Sequence, residues 1–282
     1  MASGDDGAVL TRRILLTAGL VGTAAIAVGC GSDEEEPVAD DRYTYGDDPS
    51  QYAELTRPEG SSRGVVVVIH GGFWKSAYDA SLGRPLAADL AARGWTAWNI
   101  EYRRVGPDPG GGGGVPATLD DVAAAIELLA EVPDLDLTTV VTLGHSAGGH
   151  LATWAAARDR YDWPATVPVT AVISQAGVLD LAGAVAAGLG TGAVEAFVGA
   201  APGPAYDRVD PTRQLPLDVP VWCVHPDGDA VVPLSQSADY VDRAVAAGAS
   251  AELVVVEGDH FVVIDPQSAA WTRTLAILDG LG

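Results

Sequence analysis

The sequence predicts an α/β fold: a mostly parallel, doubly wound sheet with flanking helices and a short helical cap. Three observations carry this. Short runs of β-branched residues alternate with Ala-rich helical patterns, as in sheets whose parallel strands are joined by helices. The run Val65-Val66-Val67-Val68-Ile69 has no polar side, so both of its faces are expected to be buried. About 240 residues follow the N-terminal segment, enough for one large domain.

The elements follow in chain order. After the 65–69 strand, Pro85–Arg93 reads as a helix and Leu119–Glu131 as another. Val140–Leu143 is an apolar strand, and the Ala-rich run Ala147–Arg158 is a helix. Val169–Ser174 and Pro220–His225 read as strands, with about 45 residues rich in Ala, Gly and Pro between them. A structureless loop of that length is improbable in a compact domain, so residues 176–218 are expected to form a helical cap over the site. Phe197 is one of its few aromatics, and the alternative is a peripheral excursion. Leu234–Ala247 (helix), Ala251–Val256 (strand) and Ser268–Leu278 (helix) complete the chain. No internal repeat is evident.

The most informative stretch is Gly144-His145-Ser146-Ala147-Gly148-Gly149. A Gly-x-Ser-x-Gly between a strand and a helix is a nucleophile elbow, a turn so tight that only small neighbours let the flanking chain pass. Its serine would stand at the carboxyl edge of the sheet, over a helix N-terminus that favours negative charge. In this pattern an acid and then a histidine follow the serine. Of the five histidines, only His225 and His260 lie well beyond Ser146. Asp229 and His260 each fall on a loop just past a strand, where α/β sheets place their chemistry. His260 is therefore the expected base and Asp229 the group that orients it. Asp227 competes with Asp229 but reads better as a turn former beside Gly228. His145 and His150 read as loop packing and as the exposed face of the following helix. His225 is expected to hydrogen-bond locally at its strand end.

Acyl transfer also needs fixed donors for a developing oxyanion. His70-Gly71-Gly72-Phe73-Trp74 follows the 65–69 strand, and its glycines allow close backbone approach. The amides of Gly72, Phe73 and Ala147 are the expected oxyanion hole. Phe73, Trp74 and Val115, the last in the Gly-rich loop 110–116, are expected to border the substrate.

The His70–Trp74 segment resembles the His-Gly-Gly-aromatic-Trp motif of the kynurenine formamidase (arylformamidase) branch of the α/β-hydrolases. That branch adjoins the hormone-sensitive-lipase-like and feruloyl-esterase-like enzymes. Asn99–Arg104, Gly111–Asp121, Asp229-x-x-Val232-Pro233 and Gly258–Phe261 resemble the same group. The similarity runs from about Tyr43 to the C-terminus. It implies an α/β-hydrolase fold and a serine hydrolase, most simply a carboxylesterase for small or medium acyl esters. An arylformamidase cleaving N-formyl aromatic amines is the alternative within the class, and a binding lipoprotein without catalysis the alternative outside it. The group often has Trp before the Pro of the Gly-rich loop, where this chain has Val115.

The N-terminus reads as an export signal. Arg12-Arg13 precede the apolar stretch Ile14–Val28, too short for a comfortable membrane span. The paired arginines resemble a twin-arginine signal, and Ala27-Val28-Gly29-Cys30 resembles a lipoprotein cleavage box with Cys30 as the acylated residue. Residues 1–29 would then be removed, 30–42 would be an acidic tether, and 43–282 the catalytic domain. The net charge of −22 makes the surface a poor partner for nucleic acid. A membrane would be met only through the lipid, and the expected partner is a small ester or amide substrate. No phosphate loop, dinucleotide fingerprint or metal-ligand pattern appears, so neither cofactor nor metal is expected.

Overall fold

A computed structural model describes residues 41–281, so the expected export signal, Cys30 and most of the expected tether lie outside the described residues. The eight strands are β1 (Asp41–Thr44), β2 (Tyr52–Thr56), β3 (Val65–Ile69), β4 (Thr96–Ile100), β5 (Val140–His145), β6 (Ala171–Gln175), β7 (Val221–Pro226) and β8 (Ala251–Val256). They form one sheet in the order β1-β2-β4-β3-β5-β6-β7-β8. The β1–β2 and β2–β4 pairs are antiparallel, and all other neighbours are parallel. β1 takes in Asp41 and Arg42, which the sequence reading assigns to the tether.

The helices are α1 (Arg84–Ala92), α2 (Ala117–Glu127), α3 (Ala147–Ala155), α4 (Leu181–Ala186), α5 (Ala193–Val198), α6 (Ser235–Ala246) and α7 (Ala269–Asp279), with several 3-10 turns between them. The period-two geometry of a strand explains why β3 is uniformly β-branched. Val65, Val67 and Ile69 join a core with α2, α3 and the cap, while Val66 and Val68 join a second core with α1 and α7. The sheet is thus covered on both faces, as a parallel sheet must be.

This order reverses direction at β3 and β5. The chain moves from β3 outward to β4, then returns to place β5 on the other side of β3. Such a switch point opens a crevice at the carboxyl ends of the strands. Ile69 pairs with Gly144, and His145 with Gln175, so the ends of β3, β5 and β6 stand level there. Residues between β6 and β7 contain α4, α5 and short 3-10 turns. Asp210 ties this segment together: its side chain is buried and accepts the amides of Thr212 and Ala182. Burial pushes the Asp210 carboxyl up.

Candidate active site

The elbow is built by exclusion of side chains. A Cβ on Gly144 would lie 2.0 Å from Gly148 O, and one on Gly148 would lie 2.0 Å from Ile69 O. No residue but glycine fits either position. Between them Ser146 takes φ 57° and ψ −119°, a conformation that costs a β-carbon residue free energy and is stored at functional sites. Its N–H donates to Gln175 O at 2.8 Å. Ser146 is 2% exposed.

His260 lies just past β8. Its Nδ1 is 2.6 Å from Asp229 Oδ2, so Nδ1 carries the proton and Nε2 keeps its lone pair. The other oxygen of Asp229 accepts the amides of Val231 and Val232, both at 2.8 Å. His225 Nε2 lies 3.5 Å from the same carboxylate. Burial pushes the Asp229 carboxyl up, but the hydrogen bonds of His225, His260 and the two amides outweigh it and hold it well below the usual carboxylate range. The rival Asp227 is exposed and accepts Gly258 N at 3.3 Å instead. No hydrogen bond joins Ser146 Oγ to His260 Nε2 among the described residues. In ligand-free sites that contact is commonly long and tightens around the substrate.

His145 links the two loops. Its Nε2 donates to His260 O at 2.9 Å, and the two rings are 4.5 Å apart. Burial, reinforced by the neighbouring His260, pushes its pKa down to about 3, so it is a neutral strut that seats the base. His150 is not on an exposed helix face, as its sequence position suggests. It is fully buried, bonds Val209 O at 2.8 Å, and burial pushes its pKa down to about 4. His225 does bond locally, to Ser237 Oγ and Val232 O.

After β3 the chain turns through three positive φ values: 107° at Gly72, 52° at Phe73 and 53° at Trp74. The turn presses on the elbow, because a Cβ on Gly71 would lie 2.7 Å from His145 O and 3.1 Å from Ser146 Cβ. Among the described residues, the amides of Gly72, Phe73 and Ala147 donate to no protein acceptor. Three unspent donors beside a strained serine can bind an oxyanion.

Glu101, at the end of β4, supports this turn from below and went unassigned in the sequence. It is buried, and Oε1 is 3.1 Å from His70 Nε2, 2.8 Å from Tyr102 N and bonded to Arg104 Nη1. Oε2 accepts Ala80 N at 2.8 Å. Tyr102 stacks on the His70 ring and donates to His70 O at 2.7 Å. Burial pushes the Glu101 carboxyl up, but the His70 hydrogen bond and the charge of Arg104 prevail and hold it below the usual range.

The three residues expected to border the substrate separate. Phe73 lines a groove of about 290 Å³ with Lys75, Val105, Asp108, Ala193 and Ala196. Trp74 has no exposed surface: it stacks on Phe197 of α5 at 4.6 Å and meets the His150 ring edge-on at 5.2 Å. It packs behind the turn rather than in an open pocket. Val115 packs against the main core and donates its N–H to Phe197 O at 2.8 Å, and it is not among the groove's walls. A larger hollow, about 670 Å³ beside α2 and Trp163, holds none of the candidate triad, oxyanion or substrate residues. Among the described residues there is no cluster of His, Cys, Asp or Glu able to hold a metal.

Fold and crevice together define an α/β-hydrolase-type protein. The fold recurs in solved structures, at identities that speak for the fold alone. A truncated carbohydrate esterase from gut microbiota aligns at TM-score 0.72 and 19% identity, covering 88% of this chain and 98% of that one. Esterase B from Lactobacillus rhamnosis, inhibited by a tributyrin phosphonate, aligns at 0.73 and 20%, covering 88% and 87%. The butyrate-bound esterase Est2 of Thermogutta terrifontis aligns at 0.67 and 24%, covering 87% and 94%. In sequence, the chain belongs to the BD-FAE family, whose model matches residues 54–243. Esterase LipC of Mycobacterium tuberculosis (strain ATCC 25618 / H37Rv) is 32% identical over 120 residues, 40% of this chain, and the match spans only 28% of LipC.

Proposed function

We propose that the protein is a serine carboxylesterase acting on small or medium acyl esters. The observation that carries this reading is the 2.6 Å His260–Asp229 bond on loops that His145 ties to the strained Ser146. In the proposed reaction, Ser146 Oγ attacks the ester carbonyl while His260 Nε2 takes its proton. Asp229 holds the imidazole tautomer and stabilises its cation. The oxyanion forms against the amides of Gly72, Phe73 and Ala147. Collapse breaks the ester C–O bond, and His260 returns the proton to the departing alcohol. Water, deprotonated by His260, then attacks the acyl carbonyl, the bond to Ser146 Oγ breaks, His260 returns the proton to Oγ, and the acid leaves. The groove beside Phe73, about 290 Å³, is at the lower end of small-ligand sites, which supports a short acyl group. The test is labelling with a fluorophosphonate probe, with hydrolysis of p-nitrophenyl esters of graded chain length alongside. The wild type is expected to label and turn over, and Ser146→Ala to do neither. A folded wild type that does not label refutes the reading.

We further propose that the enzyme works outside the cytoplasm, anchored by lipid on Cys30. Arg12-Arg13, the apolar Ile14–Val28 stretch and the residues before Cys30 support this. One acyl chain holds only marginally, so stable attachment implies more than one. Fractionation of the native host should recover a membrane-bound form beginning at Cys30. A mature form beginning elsewhere excludes the lipid anchor while leaving export open.

A further inference from the structure

Lys75 is the only lysine in a chain of 282 residues that carries 38 acids. It stands two residues past Phe73, on the wall of the 290 Å³ groove. Neighbouring cations are neutralised within the protein, Arg103 by Asp121 and Arg104 by Glu101. Lys75 is not. Among the described residues it forms no ion pair with a carboxylate. Its ammonium reaches Gly190 O at 3.5 Å, the outer limit of a hydrogen bond, and lies 5.7 Å from the Phe73 ring centroid. Neither contact answers a full positive charge, and the first is weak enough to exchange for a stronger acceptor.

The other walls are chiefly apolar: Phe73, Val105, Ala193 and Ala196 line the groove with Pro107 and Ala77. The one carboxylate there, Asp108, stands on the 105–108 loop and accepts Ser76 Oγ at 3.3 Å. A chiefly apolar groove whose one cation is held in no ion pair fits an aliphatic chain that ends in an anion. Phe73 also ties the groove to the chemistry, because its side chain forms a wall while its amide is one of the expected oxyanion donors.

The geometry points to a substrate subsite for acyl groups that carry a distal carboxylate, the monoesters of short dicarboxylic acids, with Lys75 receiving the carboxylate and Asp108 opposing it. This rests on the esterase reading proposed above. Lys75 is exposed, so the pair is worth what exposed ion pairs are worth, and the effect belongs in selectivity rather than in the rate of the chemical step.

The experiment compares monoethyl glutarate with ethyl pentanoate, which replaces the carboxylate by a methyl group. Ethanol release is followed, and rates are normalised to sites titrated with a fluorophosphonate. The readout is the ratio of the two kcat/KM values. Lys75→Met, and equally Lys75→Gln, should lower this ratio up to about 5-fold, the range expected of an exposed pair. Asp108→Asn should raise it, since it removes the opposing charge. Added salt should shrink both effects. An unchanged ratio in the lysine variants, with both esters still hydrolysed, overturns the subsite and leaves the esterase reading intact. If titration finds no reactive serine and neither ester is cleaved by wild type, the esterase reading fails and the subsite falls with it.

Discussion

Glu101→Gln is the sharpest perturbation of the support beneath the oxyanion turn. The carboxylate serves donors on both oxygens, with His70, Tyr102 and Arg104 at Oε1 and Ala80 at Oε2. A glutamine keeps one acceptor and substitutes an NH2 for the other, so at least one buried donor faces another donor. An unsatisfied buried group costs about 1–3 kcal/mol. Arg104, also buried, loses its counter-ion, and breaking a buried pair costs about 3–5 kcal/mol. The two losses share one group and overlap, so a total of about 3–5 kcal/mol is expected. The turn should also slacken. On the esterase reading its amides engage the oxyanion only in the transition state, so kcat should fall at least about 10-fold with KM little changed. The pH dependence gives an independent readout. Because the folded Glu101 carboxyl sits below its ordinary 4.5, its contribution is complete above that value and is lost as the pH falls through the folded value. Glu101→Gln should therefore be destabilised against wild type at neutral pH, with the gap narrowing in acid. Urea unfolding at about pH 7 and about pH 4 measures the gap, and initial-rate kinetics give kcat and KM. A loss under about 1 kcal/mol with kcat within about twofold of wild type would refute the reasoning.

Three further expectations follow from the same geometry. Asp229→Asn should cut ester hydrolysis by about 10³–10⁴-fold, because the imidazole loses its tautomer partner, while Asp227→Asn should stay near wild type; the reverse order in steady-state assays would reassign the acid. Gly148→Ala drives a Cβ to 2.0 Å from Ile69 O, beyond ordinary overpacking, so thermal melts should show a loss of about 3 kcal/mol or more; an unshifted melting temperature would mean the elbow is looser than described. His145 and His150, held neutral with values pushed to about 3 and about 4 from an ordinary 6.5, must charge on unfolding in acid. Their lowered values mean that stability is complete above 6.5 and lost as the pH falls from there, at up to about 1.4 kcal/mol per pH unit for each group. Denaturant melts between about pH 7 and about pH 5 should therefore show stability falling well before the carboxylates titrate, and a flat profile would remove one or both rings from the buried, neutral state.

The parts of the fold legible in the sequence are those with a local physical signature. β3 announces itself by five branched side chains that no one-sided strand needs. The elbow is legible because Gly144 and Gly148 are steric requirements of a short loop, set within a few residues of Ser146. β2 and β4 were not read, and β4 shows why. Thr96-Ala97-Trp98-Asn99-Ile100 is wholly buried, yet Asn99 interrupts its apolar pattern, and that Asn is accommodated only because its amide donates to Glu54 and Ala80. Trp74 and His150 were misplaced for the same kind of reason. Their environment is made by Phe197 and Val209, more than 40 residues away from His150 in sequence. The role of Glu101 likewise depends on partners brought from His70 and Ala80, although the segment Asn99–Arg104 itself resembles the hydrolases.

These misplacements share a direction. Each concerns a residue that shapes the crevice from behind, and together they describe how the oxyanion turn is held. From below, Glu101 and Tyr102 fix His70 and the carbonyl that follows the strand. From the elbow, His150 meets Trp74 edge-on. From the cap, Phe197 stacks on Trp74, its carbonyl accepts Val115 N, and Gly190 lies so close to Phe73 that a Cβ there would sit 2.6 Å from the ring. Positive φ at the non-glycine residues Phe73 and Trp74 is costly, and the packing around both rings holds it in place. An oxyanion hole works only if its donors stay aimed while charge develops. A glycine-rich turn on its own would not hold that aim. The segment between β6 and β7 therefore braces the turn: Trp74, buried, joins Phe197 to it, while Phe73 alone of the two aromatics lines the groove.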